Sequence, residues 1–153
     1  MAARWGLPPF HRGERARITE GVVHDQPVRV LKPATYMNRS GAALASLRAD
    51  PDFDPSRDLL VLVDEFAIPS GTFRLRATGS AGGHNGLKSI EGALMSQDYA
   101  RLRIGVGPLP GGIGDWSDYV LGAFDPEQLE QLEALRPQLE DAVDRWVREG
   151  VPR

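Results

Sequence analysis

The run Leu59-Leu60-Val61-Leu62-Val63 is the longest purely aliphatic stretch of the chain and sets the first limit on its fold. It lacks polar alternation, the pattern of a strand covered on both faces, and it has a strand's length rather than that of a membrane-crossing helix. It reads as a central parallel strand. The chain's 153 residues suffice for one such domain and not for two ordinary ones, so 1–153 is expected to be a single domain. The start, Met1-Ala-Ala-Arg-Trp, lacks the apolar stretch of a secretory signal. The absence of cysteine excludes disulfides and thiolate metal sites and fits a reducing, cytoplasmic setting.

Around that strand, helical and extended patterns interleave. Residues 15–23 and 27–31 read as a hairpin about the turn His24-Asp25-Gln26. Residues 40–49 are rich in alanine and leucine and read as a helix, which the proline- and aspartate-rich segment 50–55 ends. Thr72-Phe73-Arg74-Leu75-Arg76 alternates strictly, which puts Arg74 and Arg76 on one exposed strand face. A glycine-rich loop, 79–86, precedes a helix with Leu87, Ile90, Leu94 and Met95 on one stripe, and 101–107 reads as a further strand. The last helix has Asp125 as cap, Pro126 at its first position and Gln128 completing a capping box. Its expected buried face is Leu129, Leu132, Leu139, Val143 and Trp146, with Gly150 at its end and a kink at Pro137. The pattern is that of an α/β layered domain with a mixed sheet.

The net charge is −3, but residues 1–48 carry eight basic against three acidic residues and 71–110 five against two. Such asymmetry can make a basic face on an acidic protein, suited to phosphates, though taken alone a solvated surface is the preferred reading. The common nucleophile motifs are absent, and Gly86-Leu87-Lys88-Ser89 fails the Walker spacing by one inserted leucine. His11, His24 and His84 are too scattered for a metal site. The remaining candidates are polar residues at element ends. Asp64 and Glu65 follow the apolar strand, where open α/β sheets place ligands, although Asp64 could equally cap the turn at 68–71. Asn38 and Asn85 stand where an N-cap or a substrate-gripping amide would stand, His84 reads as a loop histidine without a fixed partner, and Tyr36 is a core, rim or stacking residue.

Taken in order, Tyr36-Met37-Asn38-Arg39-Ser40-Gly41, Val63-Asp64-Glu65, Ile68-Pro69-Ser70-Gly71, Gly82-Gly83-His84-Asn85-Gly86-Leu87-Lys88 and Arg101-Leu102-Arg103-Ile104-Gly105-Val106-Gly107 resemble the bacterial-type peptidyl-tRNA hydrolase family. Tyr119-Val120-Leu121-Gly122 and the acidic last helix resemble its C-terminal portion. The resemblance implies a single three-layer α/β domain with a mixed, mostly parallel twisted sheet. It implies hydrolysis of the ester joining a peptide to the 3′-terminal ribose of tRNA, without metal or organic cofactor. The partner is peptidyl-tRNA, there is no membrane association, and the protein is a cytoplasmic monomer. Residue by residue, Asn38 and Asn85 match amides that hold the peptidyl-tRNA end, Tyr36 an aromatic position lining the site, Asp64 the carboxylate that supports the catalytic histidine, and Arg76 and Arg103 basic positions that contact tRNA phosphate.

The family's opening strand, Gly-Asn-Pro-Gly turn and Thr-Arg-His-Asn segment have no counterpart here, and Ala67 stands where a second acidic residue is common. The expectation is therefore an N-terminally truncated member whose sheet lacks its first strand, whose general-base histidine is absent and whose turnover is poor. None of His11, His24 and His84 matches the position of the missing histidine; His84 belongs to the family's loop and would become the base only if the chain as given were active. The alternative is a non-catalytic RNA-binding protein of the same fold.

Overall fold

A computed structural model describes residues 1–13, 15–34, 37–107 and 126–150. Strands β2 (Ala16–Val23) and β3 (Gln26–Pro33) pair antiparallel from Ala16 opposite Pro33 to Val23 opposite Gln26. The expected turn narrows to His24 and Asp25, whose φ values of 49° and 62° are the left-handed pair that a two-residue type I′ hairpin requires. A short strand, β1 (His11–Arg12), pairs with the free side of β2.

The second sheet has the order β4-β6-β5, from β4 (Leu60–Pro69), β5 (Phe73–Arg76) and β6 (Ala100–Gly107). β4 runs parallel to β6 and β5 antiparallel to it. The expected fold class, one mixed and mostly parallel sheet lacking its first strand, is thereby corrected. Among the described residues there are two three-stranded sheets, a first strand is present, and parallel pairing is confined to β4 and β6. The physical reason is connectivity: a two-residue turn forces antiparallel pairing, and the hairpin takes β1 as its third strand instead of joining β4. The aliphatic run also differs from expectation. Among the described strands β6, not β4, is central, and Leu62 is 49% exposed.

The core gathers Leu44, Ala81, Leu87, Ile90 and Tyr99, with Leu31, Leu59, Val61 and Val63 packed against it. Leu87 and Ile90 come from α3 (Asn85–Leu94), as the stripe predicts, but Met95 ends that helix in the left-handed conformation and is 84% exposed. The predicted helix at 40–49 is instead a 3₁₀ stretch, Met37–Leu44, followed by one turn of α1 (Ala45–Arg48). Packing overrides alanine's helix preference there: the Gly41 N–H donates to Ser89 Oγ at 2.9 Å, and a Cβ on Gly41 would strike the Ser89 carbonyl. A single turn, α2 (Pro55–Asp58), is capped by Asp54, whose carboxylate accepts from the Ser56 N–H.

The regular β4–β6 ladder ends at Glu65, and the two strands next pair at Pro69 opposite Gly107. Side chains on Gly105 and Gly107 would collide with the carbonyls of Pro69 and Phe66, so glycine is what lets the end of β4 lean onto β6.

The last helix, α4 (Pro126–Glu149), runs through Pro137 and buries Leu135, Val143 and Asp144, whereas Leu129, expected inside, is exposed. Its expected cap Asp125 lies outside the described residues. Asp144 Oδ1 accepts from Trp5 Nε1 at 2.9 Å and from His24 Nε2 at 2.7 Å, and Arg148 approaches its other oxygen at 3.3 Å. One carboxylate thus ties the N-terminal segment and the hairpin turn to α4. Chiefly the Trp5 bond, then the His24 bond, holds its carboxyl below the ordinary range. Asp144→Ala leaves both donors unpartnered and is expected to lower the unfolding free energy by about 1–3 kcal/mol, read from urea denaturation followed by Trp fluorescence. An unchanged midpoint would mean that the knot adds nothing to stability.

Candidate active site

Asp64 sits near the end of the parallel ladder, opposite Ile104 of β6, and lies inside β4 rather than after it. The loop between β5 and α3 brings His84 to it. Gly82 and Gly83 take φ values of 59° and 90°, conformations that favour glycine, and the His84 N–H closes the turn on the Ala81 carbonyl at 3.0 Å. His84 then has extended backbone angles and is the N-cap of α3. This role was expected of Asn85, which is instead the first helical residue and is exposed.

The imidazole makes two contacts that fix its proton. Nδ1 accepts the Leu87 N–H at 3.3 Å, so in the neutral ring the proton sits on Nε2, which donates to Asp64 Oδ1 at 3.1 Å. The ring's side chain is 10% exposed, while the carboxylate is open enough to meet solvent. Asp64 is held below the ordinary carboxyl range mainly by the hydrogen bond from His84; burial works against this and loses. Asp64 therefore does not cap the turn at 68–71, which Thr72 closes onto the Pro69 carbonyl.

Two arginines of β6 stand behind this pair. Arg103 donates to Glu65 Oε2 at 3.3 Å and to the Ser80 carbonyl at 2.6 Å. Arg101, fully buried, donates to the carbonyls of Ser80, Gln97 and Tyr99. On β5, directly opposite them, Arg74 and Arg76 are exposed, as the alternation predicts. Tyr36 and the side chain of Asn38 lie outside the described residues. Among the described residues no group of three or more His, Asp or Glu is arranged to hold a metal ion, and no helix is long and apolar enough to cross a membrane.

The residues that sequence reasoning misses here are Glu65 and Arg101 as supports, and His84 as a partner of Asp64. The signal for the last was the glycine pair that swings the loop back over the sheet. The signal for the supports was weaker: arginines inside a strand that otherwise reads as buried.

An imidazole fixed on a carboxylate at the end of a parallel strand pair in an α/β scaffold is a constellation for general acid–base hydrolysis. Residues 1–153 match the family model described as peptidyl-tRNA hydrolase, and the chain belongs to that family. A peptidyl-tRNA hydrolase of Gemmatimonas aurantiaca is 41% identical over 155 residues, spanning 100% of this chain and 82% of that protein. One of Chloroflexus aggregans is 44% identical over 151 residues, spanning 99% of this chain and 80% of that protein. The crystal structure of peptidyl-tRNA hydrolase from Acinetobacter baumannii superposes with a TM-score of 0.85 at 28% identity, covering 97% of this chain and 74% of that one.

These findings correct two expectations. The family match runs over residues 1–153, against the reading of an N-terminally truncated member. The doubt about activity rested on the missing general-base histidine of the family's opening segment; the match extends over the whole of residues 1–153, and His84, read from sequence as partnerless, stands on Asp64.

The Asp64 carboxyl should titrate below the ordinary aspartate range in the native protein and move upward in His84→Ala, where burial remains without the hydrogen bond. The pair's contribution is fully present above the unfolded carboxyl value and is lost as pH falls through the lower native one. Carboxyl-detected NMR titration checks the shift, and a native Asp64 titrating at the ordinary value would contradict the pairing.

Proposed function

We propose that this chain hydrolyses peptidyl-tRNA, cleaving the ester between the peptide and the 3′-terminal ribose at the Asp64–His84 pair and so recycling stalled peptidyl-tRNA. The observation that carries the reading is the imidazole held on Asp64 at 3.1 Å beside the exposed amide of Asn85, in a chain of this family.

Water is the nucleophile and needs a base. Asp64, held below its ordinary range chiefly by the His84 hydrogen bond, is a feeble base at neutral pH. Imidazole is the side chain that ordinarily titrates near neutrality. Freeing its Nδ1 lone pair means giving up the long bond from the Leu87 N–H, about 0.5–1.5 kcal/mol. With Nε2–H on Asp64 and a lone pair on Nδ1, His84 is the base that this geometry offers. Its Nδ1 takes the water proton as the oxygen bonds to the ester carbonyl carbon, and Asp64 stabilises the imidazolium through Nε2–H. The imidazolium then returns a proton to the departing ribose oxygen, leaving a free peptide acid and tRNA.

Asn85 has a donor and an acceptor for the peptidyl end, with Asn38 and Tyr36 in the places that the resemblance gives them. Arg76, exposed beside Arg74 on β5, meets a tRNA phosphate, and Arg103 stands beside them on β6. The substrate is a product of translation, so the activity belongs in the cytoplasm, and the reaction needs only one copy of the chain.

His84→Ala is expected to lower kcat by about 10²- to 10⁴-fold with tRNA affinity kept within about twofold. Wild-type kcat in that variant, measured by release of the peptide from peptidyl-tRNA, would remove His84 from the chemistry. Arg76→Ala should instead weaken tRNA binding and flatten the slope of log affinity against log salt by about one unit. An unchanged slope takes Arg76 off the phosphate backbone.

A further inference from the structure

We propose that Arg103, tied to Glu65 and seconded by Arg101, is a positioning residue that holds the His84 loop against the strand carrying Asp64. The inference rests on the reading of Asp64 and His84 as the working pair.

The two members of that pair belong to segments that no backbone hydrogen-bond ladder joins directly: Asp64 is in β4, and His84 ends a loop that leaves β5. Arg103 reaches both. One η nitrogen donates to Glu65, the residue after Asp64, at 3.3 Å, and the other donates to the Ser80 carbonyl, four residues before His84, at 2.6 Å. The guanidinium passes beneath Gly82, 3.7 Å from where a Cβ would stand. Arg101 adds a second, longer bond to the same Ser80 carbonyl at 3.4 Å. Arg101 is itself fixed by the carbonyls of Gln97 and Tyr99 and by stacking on the Tyr99 ring at 4.1 Å. Two guanidinium groups thus converge on one carbonyl, and beyond it the loop is anchored by the buried Ala81 and then passes through two exposed glycines to the histidine. Without the grip on Ser80, the histidine's own contacts with Asp64, Leu87 and Ala81 would have to hold the loop across those glycines unaided.

Charge explains why Arg103 turns inward. It lies directly across the ladder from Arg74, and Arg101 across from Arg76. Like charges directly opposite repel, and Glu65 is the carboxylate that offsets this at Arg103. With both η nitrogens engaged and its side chain 16% exposed, Arg103 differs from the exposed Arg74 and Arg76. The outer pair presents charge to a phosphate; the inner pair shapes the site.

The test compares Glu65→Gln and Arg103→Lys with the wild type by peptidyl-tRNA kinetics, by the salt dependence of tRNA binding, and by the NMR chemical shifts of the His84 ring protons at one fixed pH. Glu65→Gln removes the charge without altering shape; Arg103→Lys keeps the charge but loses the two-pronged grip. Both are expected to lower kcat by about tenfold or more, with KM within about twofold, to leave the salt slope unchanged and to displace the His84 ring signals. Wild-type kcat and undisplaced ring signals in the two variants would overturn the proposal and leave Arg103 as a phosphate contact alone. If Glu65→Gln does not fold, Arg103→Lys decides by the same readings. If even the wild type leaves peptidyl-tRNA intact, the proposed function fails separately, and the His84 ring signals alone decide whether the clamp exists.

Discussion

The parallel ladder between β4 and β6 is the constraint on which the rest of the site depends. Its register, Val63 with Arg103 and Asp64 with Ile104, sets a carboxylate and a guanidinium one step apart on neighbouring strands. Parallel strands are joined through a crossover, and here that crossover includes β5, the glycine loop and α3, so the segment carrying His84 must pass over the end of the ladder. A shift of one residue would turn Asp64 to the opposite face and move Arg103 away from Glu65.

Short-range physics made part of this legible in the sequence. Alternation in 72–76 located β5 and its two exposed arginines, and the helical stripe through Leu87 and Ile90 located α3, because each pattern reports which face meets the core. The hairpin was legible because strand-forming runs flanked a polar turn. Sheet membership was not, since it depends on which edges are free when strands meet, and Leu59–Val63 reads the same whether its strand is central or at an edge. The candidates at Asp64 and His84 were named from motif order, but their contact spans twenty residues and is set by backbone angles at Gly82 and Gly83 that no local pattern encodes. The 40–49 segment failed as a continuous α-helix because Gly41 touches α3, a tertiary contact that composition does not report.

Electrostatics on this scale has little to do with the overall charge of −3. Four arginines form two cross-strand pairs on β5 and β6. They coexist because the inner two are held by carbonyls and face Glu65 and Glu91, although Arg101 Nε stays unpartnered, while the outer two are left in water, where high dielectric screens their repulsion. The strand pair is thereby polarised from a neutralised interior to a cationic rim. A net negative protein thus carries a locally positive strand face.

His84 is one ring with two employments: it caps α3 through Nδ1 and holds Asp64 through Nε2. Asparagine or serine would serve the first task, and neither would serve the second. Helix capping and the hold on Asp64, the pair proposed to carry the chemistry, therefore meet at a single codon, where drift cannot trade one against the other. A lineage that abandoned the reaction and kept the fold would be free to replace this histidine with an ordinary helix cap, and the identity of that residue would record which of the two histories a given descendant had followed.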